Sequence, residues 1–249
     1  MKVIQAKSAG FCYGVQRAVE LAEQTARERG GCVMLGSIIH NAHVVQHLEQ
    51  LGAHQVAGPE EIRPGDTVLI RAHGEKKQVI GHLKDIGAEC VDATCPNVLR
   101  VQQIVAQADA EGRVPIIIGD PNHPEVMGVA SWSARSVVFE GAEALQRWLD
   151  EDPARRELPL TAVAQTTCIR IIWDGAAEIL KKQCTNAKIF DTICNATHKR
   201  QSEAAELASQ VDVMVVVGDR KSANTKHLTE ICSRQCPAVY QIERAEELK

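Results

Sequence analysis

The chain has 249 residues, 45% of them hydrophobic, but only three Trp, two Tyr and three Phe. Its core must therefore come from Ile, Val, Leu and Ala, which suits buried parallel strands under helices. A formal net charge of −4 argues against a nucleic-acid partner, which calls for a basic surplus, and no run of about 18 apolar residues is available to cross a membrane. Taken in chain order, Met1–Lys7 reads as a short strand and not a signal peptide, because no long apolar stretch follows Lys2; the chain is expected in the cytosol. Val15, Ala18, Val19, Ala22 and Ala26 form one apolar stripe at helical spacing. Val98, Val101, Ile104, Val105 and Ala108 form another, stopped by Gly112. Apolar runs at Thr67–Ile70, Val114–Ile118, Ser136–Phe139, Leu160–Val163, Ala187–Phe190, Val211–Val217 and Ala238–Ile242 read as strands. The charged, proline-containing Asp150–Leu158 reads as a surface loop. Strands alternating with helices imply parallel sheets with helical cover.

Short similarities recur along the chain. Val91–Cys95, Val163–Cys168 and Phe190–Cys194 each carry Asp or Gln, then Thr, then Cys after a strand. Ile70–Gly74, Ile118–His123 and Val217–Ser222 each end a strand in a polar turn. The fold expected is α/β, with three tandem, pseudo-threefold-related small parallel-sheet units around a central cluster site. The units are placed at 13–95, 96–193 and 194–249, the last including a strand at 1–12. Polar groups then stand at the carboxyl ends of strands, where open parallel sheets bind ligands.

Nine cysteines without an export signal do not suggest a disulfide framework. Cys32 and Cys90 lie in apolar runs and read as small core residues; Cys184, Cys232 and Cys236 lack metal-ligand spacing, although a stray site at Cys232 and Cys236 stays open. Cys12, Cys95 and Cys194 each stand between a strand and a helix. A helix N-terminus favours a thiolate, and three converging thiolates suit a soft metal. A structural zinc normally has four ligands, often from close pairs; a cubane cluster with three protein ligands leaves one iron open. Unlinked core thiols remain the plain alternative.

His40, His73 and His123 sit at turn-like positions and, with Lys221–Asn224, offer donors for an anion. His43 and His47 read as exposed on a helix, and His54, His82, His198 and His227 as solvated polarity. Glu125, between Pro124 and Val126, is the candidate acid if desolvation raises its pKa; an exposed loop glutamate is the alternative. Thr166 and Thr167 read either as partners of a substrate hydroxyl or as a buried pair bonded to backbone.

These residues resemble a known family. Gly10-Phe11-Cys12-Tyr13-Gly14-Val15, Ala72-His73-Gly74, Asp92-Ala93-Thr94-Cys95-Pro96, His123-Pro124-Glu125-Val126, Gln165-Thr166-Thr167, Cys194-x-Ala196-Thr197 with Arg200-Gln201, and Ser222-x-Asn224 look like the signatures of 4-hydroxy-3-methylbut-2-enyl diphosphate reductases, the last enzymes of the methylerythritol phosphate route to isoprenoids. The resemblance runs in order to about residue 245. It implies a [4Fe–4S] cluster on Cys12, Cys95 and Cys194, whose fourth iron position takes the substrate's allylic hydroxyl. It implies diphosphate contacts from His40, His73, Ser222 and Asn224, with His123 also lining the pocket. Glu125 matches the residue that drives proton delivery, and Thr166 the same relay. Electrons come from ferredoxin or flavodoxin, and a monomer is expected.

Two departures stand out. Ala223 occupies a place where family members usually carry a second serine, and a lost donor weakens anion binding by about 1–3 kcal/mol. The family also continues past Lys249 with a further strand, another diphosphate-binding serine and a closing segment, so a truncated product, or the front of a longer polypeptide, is expected. Two rival readings are a remnant that binds a diphosphate or metal without catalysis, and a thiol enzyme using Cys168.

Overall fold

The computed structural model describes residues 2–248. The first sheet contains β1 (Cys32–Leu35), β2 (Ala53–Val56), β3 (Thr67–Ile70) and β4 (Glu89–Asp92), all parallel, in the order β2-β1-β3-β4. Side chains alternate across its two faces. On one face Met34 and Leu69 meet Ala18, Ala22 and Ala26 of α1 (Tyr13–Arg29) and Leu48 of α2 (Ala42–Gln50). The alanines repeat every fourth residue, so they form one helical stripe and let α1 approach the sheet closely. On the other face Val33, Leu35, Val68 and Ile70 meet Leu83 of α3 (Lys77–Asp85).

The second sheet repeats the plan. β5 (Val114–Ile118), β6 (Val137–Phe139), β7 (Leu160–Ala164) and β8 (Ala187–Ile189) run parallel in the order β6-β5-β7-β8. Ile117 and Val163 pack on Val98, Val101 and Val105 of α4 (Pro96–Ala110) and Val126 of α5 (Pro124–Ala130). Ile116, Ile118, Leu160 and Ala162 pack on Leu145 and Leu149 of α6 (Ala142–Glu151) and Trp173 and Leu180 of α7 (Arg170–Gln183). The third sheet pairs β9 (Met214–Val217) with β10 (Val239–Ile242), also parallel, under α8 (Asn195–Ala208) and α9 (Ala223–Ser233). Val216, Ala208, Cys232 and Cys236 form its core. Val213, Val215, Val217 and Tyr240 stay exposed on the opposite face.

By strand order, β1, β5 and β9 correspond, as do β3 with β7 and β4 with β8. This re-sorts the sequence similarities. Val163–Cys168 follows a third strand, so it matches Ile70–Gly74 and not the two Asp-x-x-Cys segments after β4 and β8. The three first-strand turns start at Gly36, Gly119 and Gly218 and place His40, His123 and Ser222 four residues on.

The strand expected at the N-terminus is absent from residues 2–12; Met1 lies outside the described residues. Side chains of α8 take the backbone groups that a ladder would use. Lys7 N and Ser8 N donate to the Glu203 carboxylate at 2.6 and 2.8 Å. Arg200 donates to Ser8 O at 3.1 Å and Gly10 O at 2.6 Å.

Candidate active site

Cys12, Cys95 and Cys194 are the N-cap residues of α1, α4 and α8. Cys95 N donates to Ala72 O and Cys194 N to Thr166 O, each at 3.0 Å. Ala72 and Thr166 follow β3 and β7, so these two cysteines hold equivalent places in the two larger sheets. Cys12 is brought in by its own helix. Gly14, in the first turn of α1, lies so close to Cys95 that a Cβ there would stand 2.5 Å from the Cys95 sulfur. Arg17 Nη1 then donates to Thr94 O at 3.2 Å. At Cys194 the Thr197 N–H donates to the sulfur at 3.4 Å, and the Thr197 hydroxyl lies 3.0 Å away. All three thiols are free and half-buried. Burial pushes the Cys95 thiol up, opposed by the Asn97 and Val98 N–H groups and reinforced by charge on Cys12 and Cys194.

Beside the cysteines stand three imidazoles. The centroids of His40 and His73 are 4.7 Å apart, those of His73 and His123 5.4 Å, and those of His40 and His123 6.2 Å. One ligating atom from each lies within 4.8 Å of the others. Burial lowers all three pKa values, that of His73 to well below its ordinary range and that of His123 to about 4. A trio of neutral imidazoles can in principle hold a metal ion or bind an anion. His123 decides between these. It caps α5, and its Nδ1 accepts the Glu125 N–H at 3.1 Å, so in the neutral ring the proton must sit on Nε2. That nitrogen presents a donor, which suits an anion's oxygen, and no lone pair for a metal.

Glu125 is 2% exposed. It accepts from Thr166 N at 2.6 Å and from Thr166 Oγ1 at 2.8 Å. Desolvation raises its pKa, and the two Thr166 bonds oppose this. The exposed-glutamate alternative is thus overturned: α5 begins at Pro124 and turns the carboxyl inward, against the loop that follows β7. Thr166 therefore joins Glu125 on one side to Cys194 on the other. Several buried polar atoms nearby have no partner among the described residues: His40 Nε2, His73 Nδ1, Gln165 Nε2 and Thr167 Oγ1. Unmet buried hydrogen-bonding groups are rare, and a cluster of them where strands end marks a place for a polar ligand.

After β9 stands Ser222, the N-cap of α9, whose Oγ accepts from Thr225 N at 3.3 Å. Asn224 is half-buried in the next turn. Charges on Asp219, Lys221 and Lys226 of this loop and helix act on His40, secondary to its burial. His227, read from the sequence as solvated polarity, has a different place. It is half-buried, and its Nδ1 lies 2.6 Å from Thr167 O. It thus bonds α9 to the loop holding Thr166, and its charge acts on His123. Only its position on the first turns of α9, after Ser222 and Asn224, could have pointed to it.

The other cysteines separate from this group. Cys168 is 4% exposed and pushed up to about 12 by burial, which leaves no thiolate for a nucleophile at neutral pH. Cys232 and Cys236 are buried, with sulfurs turned to the backbone carbonyls of Ala204 and of Val211, Asp212 and Ala238.

The likeness to known proteins covers the whole chain. The family model described as "LytB protein" matches residues 3–249. A curated 4-hydroxy-3-methylbut-2-enyl diphosphate reductase of Caldanaerobacter subterraneus subsp. tengcongensis is 39% identical over 253 residues, covering 100% of this chain and 86% of that protein. One of Helicobacter pylori is 39% identical over 251 residues, covering 100% and 88%. A solved (E)-4-hydroxy-3-methyl-but-2-enyl diphosphate reductase, the terminal enzyme of the non-mevalonate pathway, is 38% identical over 99% of this chain and 87% of its own, with a TM-score of 0.71. The solved E-1-hydroxy-2-methyl-but-2-enyl-4-diphosphate reductase of Plasmodium falciparum is 26% identical, covers 96% and 76%, and has a TM-score of 0.90. With its three helix-capping cysteines, converging histidines and sheet order, the chain belongs to the LytB protein family.

Proposed function

We propose that the chain reductively removes the allylic hydroxyl of (E)-4-hydroxy-3-methylbut-2-enyl diphosphate, giving isopentenyl and dimethylallyl diphosphates. One C–O bond breaks, the oxygen leaves as water, and two electrons and two protons are taken up. The observation that carries this reading is the buried Glu125–Thr166 pair, hydrogen-bonded at 2.6 and 2.8 Å, with Thr166 O accepting the N–H of Cys194. The loop after β7 thus bonds to both the buried carboxyl and Cys194.

Cys12, Cys95 and Cys194 would hold a [4Fe–4S] cluster. Three soft thiol donors at helix N-termini fit such a group. When bound, the cluster supplies electron transfer and a Lewis-acidic open iron. His40, His73, His123, Ser222 and Asn224 bind the diphosphate through neutral donors at strand ends and a helix start. Glu125, whose pKa burial raises, is the proton source for the departing oxygen, with the Glu125–Thr166 hydroxyl bond reversing direction as the carboxyl donates. Ferredoxin or flavodoxin serves as electron donor. The three units are assigned as 13–95, 96–193 and 194–249 with 1–12; by these bounds Cys95 closes the first, and Cys12 and Cys194 both fall in the third.

The test is turnover of the hydroxy-diphosphate with a chemical reductant by anaerobically prepared protein, beside Glu125→Gln. The amide keeps the shape and loses the acid, and general-acid catalysis is worth about 10²–10⁴ in rate. Glu125→Gln is expected to lose at least 100-fold in kcat with KM little changed. Activity within threefold of wild type would remove the proton role.

A further inference from the structure

We infer that the Arg71–Glu75 ion pair is a positioning device that holds the turn of His73 in place and so sets the spacing of the three imidazoles. The inference rests on the reading of that pocket as a diphosphate site.

The pair lies in the turn between β3 and α3, beside His73. Arg71 Nη2 and Glu75 Oε2 are 2.8 Å apart, and Arg71 Nε donates to Gly74 O at 3.4 Å. From this turn the pair reaches the loop to His40, and the turn itself packs on α5. Arg71 Nη1 would lie 3.1 Å from a Cβ at Gly36, the residue that opens the loop to His40. Gly36 has φ +69°, so the guanidinium fills the space that its missing side chain leaves. Glu75 is 6% exposed, and its Oε1 accepts from Lys76 N at 2.9 Å. Its backbone packs on Gly128 of α5, where a Cβ would meet Glu75 O at 3.4 Å; α5 is the helix that His123 caps and that carries Glu125. The ion pair thus touches the loop to His40, while the backbone of its own turn packs on the helix that His123 caps.

Stability alone is a poor reason to keep such a pair, because a buried ion pair can usually be replaced by apolar groups at no net cost. Placement is a better one. A planar guanidinium holds a carboxylate and a carbonyl in fixed directions, which an ammonium does not. The charge also acts on the site. Burial is the first cause of the lowered pKa of each histidine, and Arg71 adds to it at His40, His73 and His123 alike.

Two variants test this in the holoenzyme. Glu75→Gln is isosteric and removes the anchoring charge; Arg71→Lys keeps the charge and removes the fork. KM and kcat for the hydroxy-diphosphate are measured together with the affinity for inorganic diphosphate and the thermal midpoint. Each variant is expected to raise KM and weaken inorganic diphosphate 5–20-fold, with kcat within twofold. If Arg71→Lys does not accumulate as folded protein, Glu75→Gln carries the test alone. The inference is overturned if Glu75→Gln keeps KM and diphosphate affinity within twofold. It is equally overturned if kcat and KM worsen together in step with a lowered thermal midpoint, the signature of a merely structural pair. Failure of wild type to bind inorganic diphosphate at all would instead sink the diphosphate reading beneath it.

Discussion

Gly14→Ala tests how the cysteines are brought together. The added Cβ would stand 2.5 Å from the Cys95 sulfur and 3.3 Å from the Cys95 Cβ. Carbon and sulfur need about 3.5–4.0 Å, so either Cys95 or the first turn of α1 must retreat by about 1 Å. Metal sites tolerate ligand misplacement of about 0.2 Å, which makes a shift of this size several times too large. Overpacking of a tight contact costs about 1–3 kcal/mol, or about 2–12 °C of thermal midpoint for a domain of this size. The assay is iron and acid-labile sulfide per chain after anaerobic reconstitution, expected to fall below a third of wild type. The apo thermal midpoint is then compared in Gly14→Ala, Cys95→Ala and the double variant. If the collision is with the Cys95 sulfur, most of the glycine's penalty disappears once that sulfur is gone, an interaction that a double-mutant cycle isolates. Gly14→Ala with wild-type iron and an unchanged midpoint would refute the close approach of α1 to Cys95.

Two further outcomes are expected. His123 is held at about 4, against 6.5 for the free ring. Its folded pKa is depressed, so the stability it contributes is complete above 6.5 and is lost as pH falls through 6.5 toward 4, on the order of 3 kcal/mol in all. In urea unfolding, the difference between wild type and His123→Asn should therefore shrink across that window and stay flat above it; a difference independent of pH would remove the argument. Gly81 lies inside α3, where a Cβ would meet nothing within 4 Å, so Gly81→Ala should stabilise by about 0.5–1 kcal/mol with cofactor content unchanged, and a lowered urea midpoint would count against the helix.

What could be read from the sequence follows from which forces are local. Val114–Ile118 is an unbroken apolar run because β5 is buried on both faces, and its bounds were legible to the residue. β2 was not, because Ala53-His54-Gln55-Val56 is an edge strand with two exposed polar residues in four. The N-terminal strand was over-read for the opposite reason. Val3 and Ile4 have strand-like character yet stay exposed, and the carboxylate of Glu203, nearly two hundred residues away, claims the backbone donors at Lys7 and Ser8. Cys12, Cys95 and Cys194 were legible as a set because each stands where a helix begins. His227 was not, since its bond to Thr167 O spans 60 residues. Sheet order decides which strand ends become neighbours, and nothing in the similarity of Val163–Cys168 to Val91–Cys95 revealed that the former follows a third strand.

Sheet order also explains why Glu125 and Cys194 keep a fixed relation. Cys194 follows β8, the edge strand, and Thr166 follows β7, its neighbour. Their link, Cys194 N to Thr166 O at 3.0 Å, continues the parallel ladder past the point where regular pairing ends. On the other side, Thr166 gives both its N–H and its hydroxyl to Glu125. The path from carboxyl to cysteine therefore runs through one residue whose backbone is bonded in both directions. Side-chain rotation can change the hydroxyl's share of that path but not the distance between its ends. A buried carboxyl is costly without partners, and here the partners that satisfy it are the groups that fix it relative to Cys194. The bonds that keep Glu125 in the interior and the bonds that aim it are the same.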